Sequence, residues 1–96
     1  MKARKLFVVV AYDIAQTKNR NKVVDLLLQY GKRMNLSVFE CMLTAVQLKK
    51  LKDDVHKFIN PKKDQVIYYT LCMNCFAKIV YDPTERVLSE ETVVEV

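Results

Sequence analysis

The sequence predicts an α+β fold with one antiparallel sheet and two helices, for three reasons. Residues 6–11 form an apolar run, which is typical of a strand buried on both faces. Two later stretches carry apolar residues every three or four positions, and this spacing predicts helices that follow strands. The 96 residues, 51% of them hydrophobic, suffice for one modest core, and chains this small often oligomerise. We therefore expect one folded unit that forms a homodimer.

The first helix is predicted to begin at Thr17 and to end at Gly31. Threonine is a favoured residue at the N-cap position. Gly31 is the only glycine of the chain, and we expect it to adopt the left-handed conformation that ends many helices. The apolar stripe that would face the sheet contains Val23, Val24, Leu27, Leu28 and Tyr30.

Two strands are predicted between residues 32 and 43, with a break at Leu36-Ser37. A single strand across this region would leave both of its faces mixed in polarity. The second of the two strands runs from Val38 to Met42.

The second helix has the strongest local signals. Thr44 and Gln47 form a capping box, and Leu43 and Leu48 are spaced as a hydrophobic staple. Asn60-Pro61 is expected to end the helix. Its apolar stripe contains Leu48, Leu51, Val55 and Phe58, while charged residues and His56 occupy the exposed face.

Two further strands are predicted at Val66 to Leu71 and at Ala77 to Tyr81. The resulting order, β-α-β-β-α-β with an extra strand, is that of a ferredoxin-like sandwich with its helices on one face of an antiparallel sheet. We assign residues 1–82 to this domain. Residues 83–96 form an acidic, β-prone C-terminal tail, which we expect to add a strand to a sheet edge of this chain or of a partner.

The motif Cys72-Met73-Asn74-Cys75 lies between the two predicted strands at Val66 to Leu71 and Ala77 to Tyr81. Such a C-x-x-C motif can bind zinc or act as a redox pair. Zinc requires about four ligands, and the chain offers only Cys41 and His56 in addition. Redox use would require a helix after the motif, and Pro83 excludes a long one. We therefore interpret the cysteines as structural thiols in a reducing compartment.

Charge is distributed unevenly along the chain. The net charge is +5, yet the acidic residues predominate from Asp82 onward, so the preceding part is strongly basic. A basic surface favours a polyanion, although a solvated charged surface is the ordinary alternative. Unpaired N–H groups at the start of the first helix also favour phosphate. The basic residues that could contact it include Lys18, Arg20, Lys22, Lys32 and Arg33.

Asp13 is the first candidate for chemistry because it stands at the carboxyl end of the first strand, a usual place for a functional site in sheets that carry helices. The apolar run before it is too short for a secretory signal or a membrane span. We expect a cytoplasmic protein with no membrane partner. The first strand also lacks the aromatic-rich signature of an RNA-recognition motif.

Four stretches of the sequence together resemble the CRISPR-associated protein two family of small CRISPR adaptation nucleases. The similarity extends over residues 5–81, and its most specific parts are Tyr-Asp-Ile at the end of the first strand and Ser-Val-Phe-Glu at residues 37–40. The four stretches are residues 10–14 at the end of the first strand, residues 18–23, residues 30–41 and residues 71–75.

The resemblance implies a homodimeric, metal-dependent endonuclease of RNA or DNA that works with the CRISPR integrase in spacer acquisition. The family's metal-binding aspartate matches Asp13, and the metal would be Mg²⁺ or Mn²⁺. The tail would then pack on the partner subunit or on an integrase subunit. The positions that match residues around the family's catalytic cleft are Tyr12, Asp13, Arg20, Arg33, Ser37 and Phe39.

One aspartate per chain supplies few oxygen ligands for Mg²⁺, whereas a two-fold axis would bring two Asp13 carboxylates together. Two other interpretations stay open. The dimer could be a non-catalytic DNA-binding scaffold of the integration complex, in which Asp13 only caps the following turn. It could also be a toxin-like RNA interferase of related fold.

Overall fold

The computed structural model describes residues 4–82, which form four strands and three helices. In chain order they are β1 (Lys5–Asp13), α1 (Thr17–Leu28), β2 (Gly31–Asn35), β3 (Val38–Thr44), α2 (Ala45–His56), β4 (Gln65–Leu71) and α3 (Met73–Phe76). The first six elements follow the predicted order β-α-β-β-α-β. The break between the second and third strands falls at Leu36-Ser37, as predicted.

The four strands form one antiparallel sheet in the order β2-β3-β1-β4. The α+β class predicted from the sequence is thereby confirmed. The strand β1 lies between β3 and β4, but the two partners cover different lengths of it. Its pairing with β3 ends at Ala11, whereas its pairing with β4 continues to Asp13, opposite Gln65. The carboxyl end of β1 therefore extends beyond β3.

Both long helices pack on the same face of the sheet and form the main core with it. The core alternates along β1, where Val8 and Val10 face the helices, while Phe7 faces the other side of the sheet. All three side chains have no exposed surface, so the prediction that this strand is buried on both faces is confirmed. The helices contribute Val23, Val24, Leu27, Leu48, Leu51 and Val55 to the core.

The helix α2 begins as its sequence predicts. The Thr44 hydroxyl accepts a hydrogen bond from the Gln47 amide at 3.1 Å, and the Gln47 side chain accepts one from the Thr44 amide at 2.8 Å. The helix ends at His56, before the predicted stop at Asn60-Pro61. Its last turn tightens into i→i+3 bonds, such as that from the Phe58 amide to the Val55 carbonyl, so the chain leaves the helix before the proline.

The start of α1 differs from the prediction. Gln16 is the N-cap residue and makes no side-chain capping bond, and Thr17 is the first helical residue. The Thr17 hydroxyl instead accepts a hydrogen bond from Arg20. A partner from the following turn therefore occupies the oxygen that would have capped the helix.

Gly31 also has a different role from the predicted one. The helix α1 ends at Leu28, and Gly31 is the first residue of β2. A Cβ atom at this position would lie 2.5 Å from Cys41 Sγ and 2.9 Å from Cys41 Cα, and it would also collide with the Glu40 carbonyl. The position requires glycine because β2 and β3 approach closely there, not because a helix ends there.

The predicted strand at Ala77 to Tyr81 is absent, and this prediction is wrong. The chain forms the single-turn helix α3 and then an irregular segment. Phe76 and Ile79 pack over the face of the sheet that carries no long helix, and the Phe76 ring lies 4.5 Å from the Phe7 ring. The apolar residues of this segment are thus buried against the face of the sheet instead of pairing with its edge.

Tyr81 attaches the end of this segment to the sheet. Its hydroxyl donates a hydrogen bond to the Glu40 carboxylate, at 2.6 Å from the nearer oxygen. Burial and the Glu40 carboxylate both raise the pKa of Tyr81. The predicted tail, residues 83–96, lies outside the described residues.

Candidate active site

A cleft of about 370 Å³ lies at the carboxyl end of β1. Its walls come from the end of β1, from the first turn of α1 and from the turn between β2 and β3. The residues that line it are Tyr12, Asp13, Ile14, Arg20, Arg33, Leu36 and Ser37. The structure therefore brings together five of the six residues that the sequence analysis named as catalytic.

Asp13 is the exposed carboxylate of this cleft. Because β1 extends beyond β3, Asp13 has a paired neighbour only on the β4 side. It also lines a second, smaller groove of about 140 Å³ together with Ala11, Gln65 and Ile67. Its carboxylate thus lies where the cleft meets the face of the sheet that carries no long helix.

Arg20 connects α1 to the loop that follows Asp13. Its Nη1 donates to the Ile14 carbonyl at 2.9 Å, and its Nη2 donates to the Thr17 hydroxyl at 3.0 Å. A guanidinium has five N–H donors, so these two bonds leave donors for a ligand. The protein therefore holds a cation in a defined orientation in the cleft that Asp13 also lines.

Arg33 and Tyr12 hold the turn between β2 and β3. The Tyr12 hydroxyl donates to the Leu36 carbonyl at 2.6 Å, and Arg33 Nη2 donates to the same oxygen at 2.9 Å. Arg33 Nε reaches the Asn35 carbonyl at 3.2 Å. The Tyr12 amide also donates to the Ser37 carbonyl at 3.0 Å, so Ser37 is held against the end of β1.

Phe39 is the predicted site residue that the structure does not place in the cleft. It has no exposed surface and lies below the cleft, in the core. Its ring is 6.2 Å from the Tyr12 ring, and the Arg33 guanidinium carbon lies 6.0 Å from its centroid. Phe39 therefore supports two side chains that line the cleft.

The three lysines predicted to bind nucleic acid do not line the cleft. Lys18 and Lys22 are exposed on α1, and Lys32 is exposed on β2. Their charges lie on the surrounding surface and not within the cleft.

The described residues of a single chain offer limited ligands for a metal. Within residues 4–82 no three His, Cys, Asp or Glu side chains form a group that could hold an ion. Mg²⁺ usually keeps several waters and takes one or two carboxylates together with phosphate oxygens from the substrate. Asp13 fits the role of one such carboxylate.

Asp64 is a residue of this region that the sequence analysis missed. Its carboxylate accepts hydrogen bonds from the Asn60 amide at 2.8 Å and from the Ala15 amide at 3.0 Å. These bonds lower the pKa of Asp64 and hold the loop after Asp13 against the loop between α2 and β4. No local pattern could have revealed a contact between residues 49 positions apart.

Leu36 is a second residue that was missed. It lies in the turn between β2 and β3 and is 81% exposed at the rim of the cleft. The only sequence signal was its place at the break between two predicted strands.

The fold and the cleft define a small α+β protein in which an accessible carboxylate and two oriented guanidinium groups line one cleft, an arrangement suited to phosphate esters. The family model described as CRISPR associated protein Cas2 matches residues 6–79. The chain belongs to the CRISPR-associated protein Cas2 family, which confirms the resemblance noted in the sequence.

Individual relatives agree with this assignment. The chain is 38% identical over 63 residues to the CRISPR-associated endoribonuclease Cas2 3 of Synechocystis sp., covering 66% of this chain and 68% of that protein. The crystal structure of Streptococcus pyogenes Cas2 matches this fold with a TM-score of 0.71 and 29% sequence identity. The match covers 78% of this chain and 96% of that chain. A chain of a partial Cas6-RT-Cas1–Cas2 complex has the same fold, with 22% identity, a TM-score of 0.71 and coverage of 88% and 92%.

Proposed function

We propose that this protein is a CRISPR adaptation protein with endonuclease activity, which hydrolyses phosphodiester bonds of RNA or DNA in the cleft around Asp13. The observation that carries the proposal is the exposed Asp13 carboxylate in the same cleft as Arg20 and Arg33. Relatives named endoribonuclease and endonuclease support it. Such a protein would act in the cytoplasm, where nucleic acid is accessible.

The arginines would bind and orient the phosphate. Their guanidinium groups are already held by the Ile14, Asn35 and Leu36 carbonyls, so binding would immobilise little additional side-chain freedom. Their remaining N–H donors would neutralise the charge that develops on the phosphate oxygens during hydrolysis. The proposed role of both arginines is therefore electrostatic and positional.

We further propose that the active form is a homodimer of ferredoxin-like subunits in which two Asp13 side chains together hold Mg²⁺ or Mn²⁺. Asp13 lies at the border of the sheet face that carries no long helix, and this position supports the arrangement. A second copy bound to that face would bring its own Asp13 close to the first. When bound, the ion would make a water more acidic and neutralise phosphate charge. The carboxylate of each chain would hold the ion in place.

Replacing Asp13 with asparagine tests the nuclease function. We expect Asp13→Asn to abolish cleavage in the presence of Mg²⁺ or Mn²⁺ and to leave the fold intact, because the side chain is exposed and of equal size. Cleavage of labelled RNA and DNA by the purified full chain measures the activity, and circular dichroism checks the fold. Asp53→Asn, which removes an exposed carboxylate on α2, is the matched control. Cleavage at the normal rate by Asp13→Asn would exclude Asp13 as the catalytic carboxylate.

A second candidate function is that of a non-catalytic scaffold that holds DNA for the CRISPR integrase. The observation that favours it is that one chain contributes a single carboxylate to the cleft, while the arginines also hold the protein's own loops. A structural neighbour that occurs in a complex with Cas1 supports such a partner. Integration by an Asp13→Asn complex distinguishes the two functions, because a scaffold keeps its integration activity when the nuclease is lost.

A further inference from the structure

Cys72 and Cys75 lie at the opposite end of the sheet from the cleft. Leu71, which precedes the pair, is opposite Phe7 near the start of β1, whereas the cleft lies at the end of β1. The pair directly follows β4 and begins α3. The helix α3 is a single turn that begins inside the motif at Met73, so both cysteines belong to one turn of the chain.

The two thiols are exposed and lie in one turn of the chain. Cys72 is the N-cap residue of α3, and its Sγ accepts a hydrogen bond from the Cys75 amide at 3.3 Å. The third cysteine, Cys41, has no exposed surface and lies in the main core. The chain therefore contains one accessible pair of thiols and one inaccessible thiol.

The local hydrogen bonds make the two exposed thiols unequal. The bond from the Cys75 amide to Cys72 Sγ, with the bond from the Cys75 side chain, lowers the pKa of Cys72. The same interaction with Cys72 raises the pKa of Cys75. Because the thiolate is the nucleophile, Cys72 is the residue expected to react first.

We propose that Cys72 and Cys75 form a redox-reactive dithiol that undergoes exchange with small-molecule disulfides such as oxidised glutathione. The Cys72 thiolate attacks one sulfur of the small disulfide, forms a mixed disulfide and releases one small thiolate. The Cys75 sulfur, on losing its proton, then attacks Cys72 Sγ, closes the Cys72–Cys75 disulfide and releases the second small thiol. The protein loses two electrons and two protons, and both electrons reduce the small disulfide to two thiols.

A metal site is the main alternative chemistry for such a pair. A structural zinc requires about four ligands, and the described residues of one chain place no third His, Cys, Asp or Glu beside the two cysteines. The geometry of a single chain therefore favours exchange over metal binding.

Mass spectrometry of the full chain after treatment with oxidised glutathione tests the proposal. We expect the wild-type protein to lose two hydrogen atoms through one internal disulfide between Cys72 and Cys75. Cys75→Ser should retain one glutathione on Cys72, because the resolving thiol is missing. Cys72→Ser keeps an oxygen at the N-cap position. Its Cys75 should be alkylated by iodoacetamide more slowly than Cys72 in Cys75→Ser, because the residue 75 amide donates a hydrogen bond to Cys72 Sγ. Cys41 is the internal control, since burial first and then Glu40 raise its pKa to about 12.

Three results would overturn the proposal. The first is equal alkylation rates for Cys72 and Cys75 in the single variants. The second is a stable glutathione adduct on the wild-type chain without ring closure. The third is stoichiometric binding of added zinc that protects both cysteines from alkylation, which would assign the pair to a metal site instead.

Discussion

At the scale of single residues, several side chains have roles that differ from their local propensities. Gly31 lies in a strand and not at a helix end, and Thr17 accepts a bond from Arg20 instead of capping α1. Arg33 holds a turn as well as facing the cleft. The close approach of β3 determines the role of Gly31, and side-chain hydrogen bonds determine those of Thr17 and Arg33, so propensity alone could not have predicted them.

Gly31→Ala should destabilise the protein by about 1–3 kcal/mol, because the new methyl group would meet the backbone and side chain of β3 at Glu40 and Cys41. Urea unfolding followed by circular dichroism measures the change in the free energy of unfolding. Lys32→Ala, an exposed neighbour on β2, is the control and should change that free energy by no more than about 0.5 kcal/mol. Wild-type stability in Gly31→Ala would show that β2 and β3 do not approach as closely as described.

At the scale of elements, local signals predicted most of what forms. The helix α2 has its predicted capping box, and β1, β3 and β4 lie in the predicted stretches. These strands could be predicted because the apolar pattern of each one is visible within a few consecutive residues. The stretch after β4 was assigned wrongly. Its apolar residues are compatible with a strand, but they are buried against the open face of the sheet through Phe76 and Ile79.

Thr44→Ala should lower the free energy of unfolding by about 1 kcal/mol, because it removes the hydroxyl that accepts from the Gln47 amide at the start of α2. Thr44→Ser retains that oxygen and should preserve most of the stability. Denaturant midpoints of the two variants, measured side by side, provide the comparison. Equal loss in both variants would assign the effect to the threonine methyl group in β3 and not to the cap.

At the scale of the whole molecule, the site depends on connections between distant segments. The Tyr12 hydroxyl donates to the carbonyl of Leu36, and Asp64 accepts a hydrogen bond from the Ala15 amide in the loop after β1. These contacts place the β1–α1 loop and the β2–β3 turn around Asp13. Within residues 4–82, no helix has the length and apolar character that a membrane crossing requires.

Asp64 should make stability depend on pH. Two backbone amides lower its pKa below the usual 3.8, so the folded state favours the ionised carboxylate more than the unfolded chain does. This contribution is complete above the unfolded-state pKa and is lost as the pH falls through the lower folded-state pKa. Asp64→Asn should be less stable than wild type near neutral pH, and the difference should shrink below about pH 4.

Urea unfolding midpoints across the acid range measure this effect. Asp53→Asn is the control, because the Asp53 carboxylate pairs with the exposed Lys49 and not with backbone amides. A difference between wild type and Asp64→Asn that stays constant with pH would contradict the assigned role of the carboxylate.

The α+β class, the break between β2 and β3, the cap of α2 and the place of Asp13 at the end of β1 could all be predicted from the sequence. Each depends on periodicity or capping within a few residues. The close approach at Gly31, the irregular segment that covers the sheet and the contact of Asp64 with Ala15 could not. They arise from packing between segments far apart in the chain, where the burial of side chains and the geometry of the sheet outweigh local preference.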